Sequence, residues 1–176
     1  MVFSYIRLRC SVEDAMARYG RWVGEPELGP PRLIPEKDHI DLALDEAGAE
    51  WLGLAVFIYE ADGWAVVEEV SGGLGTRPAE AWLALAAGGD LVYAASNDAV
   101  RYAQIIAIEG GRLVRNILKD DSDPTDDVDV GRLPEEASRP FKDWTDVAMW
   151  VETDEEKLDR PEKGWLWIHR SDPNAG

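Results

Sequence analysis

Residues 91–118 are LVYAASNDAVRYAQIIAIEGGRLVRNIL, and this stretch decides the predicted fold class. Three short runs rich in Val, Ile, Leu and Tyr are separated by the turn-forming pairs Asn97-Asp98 and Gly110-Gly111. Apolar runs of this length between Asn, Asp and Gly pairs are typical of strands joined by hairpins. The sequence therefore predicts an antiparallel meander over residues 90–118, with strands at 91–96, 102–109 and 112–118.

Residues 39–70 have a comparable pattern and predict a second meander. The segment 39–44 alternates apolar with polar or small residues, which favours a strand, although a short helix fits the same residues. The apolar run 51–60 then leads through the turn 61–63 into a partner strand at 64–70. Two meanders built from consecutive hairpins predict an antiparallel sheet of about six to seven strands.

Three segments carry the start and stop signals of helices. Ser11 precedes an amphipathic stretch that we expect to stop at Gly20, and Pro78 opens the helix-forming stretch AEAWLALAA. Asp143 precedes a third predicted helix that runs from residue 144 to about residue 151. We expect these helices to pack mainly on one side of the sheet, which gives the α+β class. The Pro-rich and Gly-rich residues 24–38 predict a loop.

Length and composition limit the organisation of the chain. The 176 residues are 45% hydrophobic and include eight Trp, which is enough for one packed core. We predict a single α+β domain over residues 1–170 and a flexible tail at 171–176. Residues 1–10 alternate like a first strand and do not resemble a signal peptide, and no apolar run approaches the ~20 residues of a membrane span. A single cysteine fits a reducing compartment, so we expect a cytoplasmic protein.

The net charge excludes some classes of partner. There are 35 acidic residues against 18 basic ones, which gives a formal charge of −17. Direct binding to nucleic acid depends on Lys and Arg that neutralise phosphates, so we expect none. A basic protein is the natural complement of this negative field. The alternative is that the acidic residues only keep the protein soluble.

One segment, residues 119–136, holds a dense group of acidic residues and is here named the acidic segment. Two basic residues, Lys119 and Arg132, lie among eight acidic ones. We predict that a basic partner docks on this segment, with further contacts from Glu68, Glu69 and Asp98. The acidic residues of the segment are Asp120, Asp121, Asp123, Asp126, Asp127, Asp129, Glu135 and Glu136.

The motifs of common enzymes and metal sites do not fit this sequence. The loop at 71–75 lacks the Lys of a phosphate-binding loop, and its glycine spacing is broken by Pro78. The acidic segment lacks the Gly and the final Glu of a calcium-binding loop. One cysteine and two histidines, His39 and His169, offer no pair of zinc ligands at short spacing. We therefore expect no catalytic residues, no metal and no cofactor.

Two alternatives to a binding protein stay open at this point. A carboxylate site for catalysis or ligand binding requires a buried acidic residue with a raised pKa, such as Asp98 or Glu60. A homodimeric structural or regulatory subunit requires an exposed aromatic face. Trp165 and Trp167 are two residues apart on a predicted strand and provide such a face if it is not part of the core.

Several phrases of the sequence resemble those of a known class of proteins. They are WLGLAVF at 51–57, GW at 63–64, AWL at 81–83, SND at 96–98, GRLVR at 111–115 and DWTDVA at 143–148. They resemble phrases in small bacterial proteins encoded beside polymorphic toxin genes, which act as immunity proteins against the toxin. The resemblance implies a single acidic cytosolic domain, monomeric or homodimeric, that occludes a toxin without catalysis. The toxin is often a basic nuclease.

Overall fold

The computed structural model describes residues 2–24, 29–47, 53–70 and 74–170. In chain order they form β1 (Val2–Leu8), α1 (Val12–Val23), β2 (Arg32–Pro35), α2 (His39–Ala47), β3 (Gly53–Ala61), β4 (Trp64–Glu69), α3 (Ala79–Ala86), β5 (Leu91–Asn97), β6 (Tyr102–Glu109), β7 (Arg112–Asp120), β8 (Val128–Gly131), α4 (Trp144–Glu155) and β9 (Lys163–Arg170). The predicted α+β class is confirmed. The described residues contain nine strands and four helices, rather than about seven and three.

The chain divides into two compact units, each assembled from two separate parts of the sequence. The first unit combines Met1–Arg9 with Arg77–Leu158, and the second combines Cys10–Thr76 with Asp159–Gly176. Neither unit is continuous in sequence. The single domain over residues 1–170 stays a prediction. The predicted tail at 171–176 lies outside the described residues.

The first unit contains the strands in the order β1-β5-β6-β7-β8, and every neighbouring pair is antiparallel. This confirms the predicted meander, although its strands extend to Asn97 and Asp120. The Asn97 side chain accepts a hydrogen bond from the N–H of Ala99 at 3.1 Å, as expected of a turn residue.

Helices cover both faces of the strands in the first unit. Residues 103–108 of β6 are all buried, so this strand has no solvent-facing side. Trp82 of α3 stacks on Tyr93 with ring centroids 4.3 Å apart. Tyr5 points to the opposite face and contacts Asp154 of α4. The prediction that helices pack mainly on one side is therefore wrong. Both faces of the strands are apolar, so a helix packs on each face and removes it from water.

The second unit contains the strands in the order β2-β9-β3-β4, again with antiparallel pairs. Tyr19 of α1 packs against Trp167 with ring centroids 6.0 Å apart. His39 of α2 stacks on Phe57, which points to the other face, at 4.7 Å. The two helices therefore sandwich this sheet as well.

Two predictions in the second unit are wrong. Residues 39–47 form α2, the helix left open as the alternative, rather than the favoured strand. The buried residues His39 and Ala43 are four positions apart, as on one face of a helix. The short alternation at 39–44 could not distinguish the two periods. Strand β2 lies within the residues predicted as a loop, because it pairs with β9 from a distant part of the chain.

Helix α1 continues through Gly20, where the sequence predicted its end, and stops instead at Gly24 in the left-handed conformation. Gly20 allows a close approach of Trp167. A Cβ at this position would lie 2.5 Å from Cη2 of the indole ring. The glycine at position 20 is therefore a packing requirement rather than a stop signal.

We expect Gly20→Ala to lower the free energy of unfolding by about 1–3 kcal/mol, because the new methyl group must displace the Trp167 ring. The better helix propensity of Ala works in the opposite direction by about 1 kcal/mol. Chemical denaturation of the variant measures the net effect. Ala17→Gly, at an exposed position of the same helix, calibrates the propensity effect alone. A stabilised Gly20→Ala protein would contradict the assigned role of Gly20.

Candidate functional site

The acidic segment is folded rather than an open loop. Strand β7 ends at Asp120, a 3₁₀ turn spans Pro124–Asp126, β8 spans Val128–Gly131, and a second 3₁₀ turn spans Pro134–Ala137. Among the described strands, β8 pairs with β7 alone and forms an edge of its unit. The segment therefore extends the sheet by one short strand.

Several carboxylates of the segment accept hydrogen bonds from its own backbone and side chains. Asp120 accepts the N–H of Ser122 at 2.8 Å and its hydroxyl at 2.5 Å. Asp127 accepts the N–H of Asp120 at 3.0 Å and the ammonium group of Lys119 at 2.9 Å. Asp123 caps the first 3₁₀ turn through the N–H of Thr125. This is the local turn chemistry that Asp supports.

Arg115, on β7, precedes the acidic segment in sequence and contacts several of its residues. Its side chain is fully buried. Its Nε is 2.7 Å from Oε1 of Glu136, and its Nη2 donates to Oε2 at 2.9 Å. Its Nη1 donates to Oδ1 of Asp129 at 2.7 Å and to the carbonyl oxygen of Val130 at 3.1 Å. One guanidinium therefore joins β7, β8 and the second 3₁₀ turn in a geometry that only Arg provides.

Three carboxyl groups in the segment have lowered pKa values. For Asp120, the largest cause is the hydrogen bond from the Ser122 hydroxyl. For Asp127 and Asp129, burial raises the pKa, but charged hydrogen bonds outweigh it: Lys119 holds Asp127, and Arg115 with Arg132 holds Asp129. These carboxylates are therefore fixed in the ionised form at neutral pH.

The remaining negative charge is exposed. Within the described part of the chain, four acidic residues of the segment have no Lys or Arg nitrogen within 4.0 Å: Asp120, Asp123, Asp126 and Glu135. Asp121 has only a distant partner, Arg101, at 3.7 Å. The segment therefore combines an internally paired framework with a surface of uncompensated carboxylates.

The other predicted partner residues have different surroundings. Asp98 is exposed in the turn between β5 and β6. Glu68 and Glu69 belong to the second unit and take part in its structure. Oε1 of Glu68 accepts a hydrogen bond from Arg160 at 3.3 Å, and Oε1 of Glu69 accepts the N–H of Leu74 at 3.1 Å. The structure therefore gives these two carboxylates a local structural role.

The histidines and the cysteine lie in separate structural settings. His39 donates from Nδ1 to the carbonyl oxygen of Glu36, and its Nε2 is 3.8 Å from Oε1 of Glu68. His169 is fully buried and lies against the rings of Tyr19 and Trp167. Burial is the largest cause of the raised pKa of the Cys10 thiol, which disfavours the nucleophilic thiolate. In the parts of the chain that the structure describes, no group of three or more His, Cys, Asp or Glu residues has the arrangement of a metal site.

Among the described residues, two carboxylates are buried, Glu136 and Asp154. Glu136 was counted in the acidic segment without an indication of its burial, and Asp154 was not singled out. Asp154, on α4, accepts a hydrogen bond from the Tyr5 hydroxyl at 2.7 Å and forms an ion pair with Arg7 at 2.9 Å. Burial, followed by the charge of Asp154, raises the pKa of Tyr5, so its hydroxyl stays protonated as a donor. A signal was present for Glu136: Arg115 and Ile117 share a strand face, so a buried Arg needed an acidic partner.

No family model, curated protein or solved structure matches this chain. Among the described helices, none is long and apolar enough to cross a membrane. The geometry of the acidic segment and the charge of the chain are the features of this molecule that bear on its function.

We expect Arg115→Met to lower the free energy of unfolding by about 3–5 kcal/mol, because it leaves the buried Glu136 carboxylate with only the exposed Arg132 guanidinium, 3.8 Å away. Adding Glu136→Gln should recover part of this loss, since it removes the isolated charge. Arg132→Met, which removes an exposed ion pair to Asp129, should cost less than about 1 kcal/mol. Urea unfolding of the four proteins tests this order. Equal losses for Arg115→Met and Arg132→Met would contradict it.

Acid should weaken the acidic segment. A carboxyl group with a lowered pKa in the folded state contributes stability above its unfolded pKa, and this contribution is lost as the pH falls through the folded value. We therefore expect the contribution of Asp127 and Asp129 to be constant from pH 7 to about 4 and to decrease below that. Urea unfolding should be measured from pH 7 to below pH 4. In the variant Asp127→Asn/Asp129→Asn, the free energy of unfolding should fall less steeply as the pH decreases. An unchanged dependence would show that these carboxylates are not coupled to folding.

Proposed function

We propose that this protein is a non-enzymatic inhibitor of the immunity type, which binds a basic bacterial toxin domain and occludes its active surface. The acidic segment is its docking site. The observation that supports the proposal best is the construction of this segment. A buried Arg115 framework fixes the backbone, while Asp120, Asp123, Asp126 and Glu135 hold negative charge at or near the surface.

Negative charge favours a basic partner in two ways. A chain of net charge −17 attracts basic partners over the distance of about a Debye length, which speeds their encounter. A fixed set of carboxylates then selects among them, because charges held in place lose less entropy on binding than mobile ones. The resemblance to immunity proteins supports the same interpretation and adds the class of partner.

The alternatives have less support. Asp98 and Glu60, the acidic residues proposed for a carboxylate site, are both exposed, whereas such a site requires a buried carboxyl group. Trp167 is 6% exposed and belongs to the core, while Trp165 is half-buried. An aromatic dimer face would therefore depend on Trp165 without its predicted partner.

Charge reversal at the docking site should abolish inhibition. Asp126→Lys/Glu135→Lys changes two exposed residues that lack a described ion pair. Glu60→Lys/Glu156→Lys makes the same change in net charge at exposed positions elsewhere. Proteins captured from the source organism by the immobilised wild-type chain are identified, and a basic one with toxic activity is co-expressed with each variant.

We expect growth to be rescued by the wild-type chain and by the Glu60/Glu156 control, but not by the Asp126/Glu135 variant. Binding should weaken at high salt, as expected for a charged interface. If the captured partner stays fully toxic when saturated with the chain, the immunity proposal is wrong. If equal rescue is obtained with both double variants, the acidic segment is not the docking site.

A further inference from the structure

The acidic segment carries an apolar surface as well as charge. Leu118 of β7 lies opposite Val128 of β8, and Asn116 lies opposite Val130. Opposed residues of an antiparallel pair share a face, and so do residues two apart on one strand. Leu118, Val128 and Val130 therefore form one contiguous patch, here named the apolar strip. Val130 is 56% exposed, and the other two side chains are half-buried.

The opposite face of the same two strands is closed. Ile117 and Arg115 point to that side, and both are fully buried. The carboxylate of Glu136 and the ring of Phe141, 5.8 Å from the Arg115 guanidinium, lie on that side. The exposure of the apolar strip is therefore specific to one face and is not a general result of the short edge strand.

The backbone beneath the strip is held in place on both sides of Val130. The carbonyl oxygen of Val130 accepts a hydrogen bond from Arg115, and the carboxylate of the preceding Asp129 accepts hydrogen bonds from Arg115 and Arg132. Gly131 has φ of +76°, and a Cβ there would overlap the Val114 carbonyl oxygen. A surface fixed in this way loses little conformational entropy when a partner covers it.

Acidic residues border the strip. Asp120 is two residues beyond Leu118 and shares its face, while Asp126 and Asp127 directly precede Val128. An apolar centre with a polar border is the usual anatomy of a protein interface, and scattered single apolar residues are not. The charge of the border determines which partner fits, since a like-charged surface would be repelled.

We propose that the apolar strip anchors a partner surface that presents an aliphatic side chain flanked by Lys or Arg. This inference rests on the proposed function and refines it, because it assigns the partner an apolar anchor in addition to positive charge. The aliphatic group covers Val130, and the flanking cations meet the carboxylates of Asp120 and Asp126. Removal of Val130 from water provides the selectivity that charge alone lacks.

The test uses the whole chain and three nine-residue peptides as probes. One alternates Lys with Val, one alternates Lys with Ser at the same charge, and one alternates Glu with Val. Binding is followed by amide chemical shifts at low salt. We expect the Lys/Val peptide to bind about five times more tightly than the Lys/Ser peptide, and the Glu/Val peptide not to bind. The largest shifts should fall on residues 116–118 and 128–130.

Variants separate the apolar contact from the charge. Val130→Ser should remove the preference for Lys/Val over Lys/Ser, whereas Val100→Ser, at a 49% exposed position in the same unit, should leave it unchanged. Dispersion of the amide spectrum checks that each variant is folded. Val130→Thr, which keeps the β-branched shape, is the substitute if the serine variant loosens the strand.

The outcomes distinguish this inference from the proposed function. Equal affinity for Lys/Val and Lys/Ser would overturn the anchoring role of the strip and leave a basic partner recognised by charge. Shifts confined to residues other than 116–118 and the acidic segment would overturn it as well. Failure of the proposed function shows separately, as an unrescued toxin in the co-expression experiment, whatever the peptides do.

Discussion

The buried ion pair between Arg115 and Glu136 is the interaction on which the acidic segment depends. A charge removed from water is costly unless it is paired, and this guanidinium holds two carboxylates and a carbonyl oxygen around itself. Those acceptors come from two successive pieces of the segment, β8 and the second 3₁₀ turn. A chain dense in like charges would otherwise repel itself and stay open. Here one internal cation holds β8 and the second 3₁₀ turn against β7.

Much of the fold followed from local patterns, because hairpin turns and helix caps are encoded by neighbouring residues. The meander at 90–118, the Ser11 cap and the hairpin around Asp62-Gly63 are examples. The failures share a cause: their structure depends on distant parts of the chain. Strand β2 exists because β9 pairs with it, and α1 passes through Gly20 because Trp167 packs there.

The position of the acidic segment was evident from the sequence, but its construction was not. Charge density alone pointed to residues 119–136, and the exposed carboxylates lie there. No local pattern separates the acidic residues that build the segment, such as Asp129 and Glu136, from those that face outward, such as Asp126. That division depends on which side of a strand Arg115 occupies, which local composition does not report. Val130 was unnoticed because its strand was not predicted.

The strand order of the second unit limits when its strands can pair during synthesis. Strand β9 stands between β2 and β3, yet the ribosome makes it long after both of them. Until it emerges, β2 has no neighbour and one edge of β3 is bare. Unpaired edges of this kind invite aggregation in nascent chains. The first unit has its own late requirement, because α4 supplies Asp154 to Tyr5 of its earliest strand. Each unit therefore cannot complete its folding until an element near the C-terminal end of the chain, α4 or β9, has been synthesised.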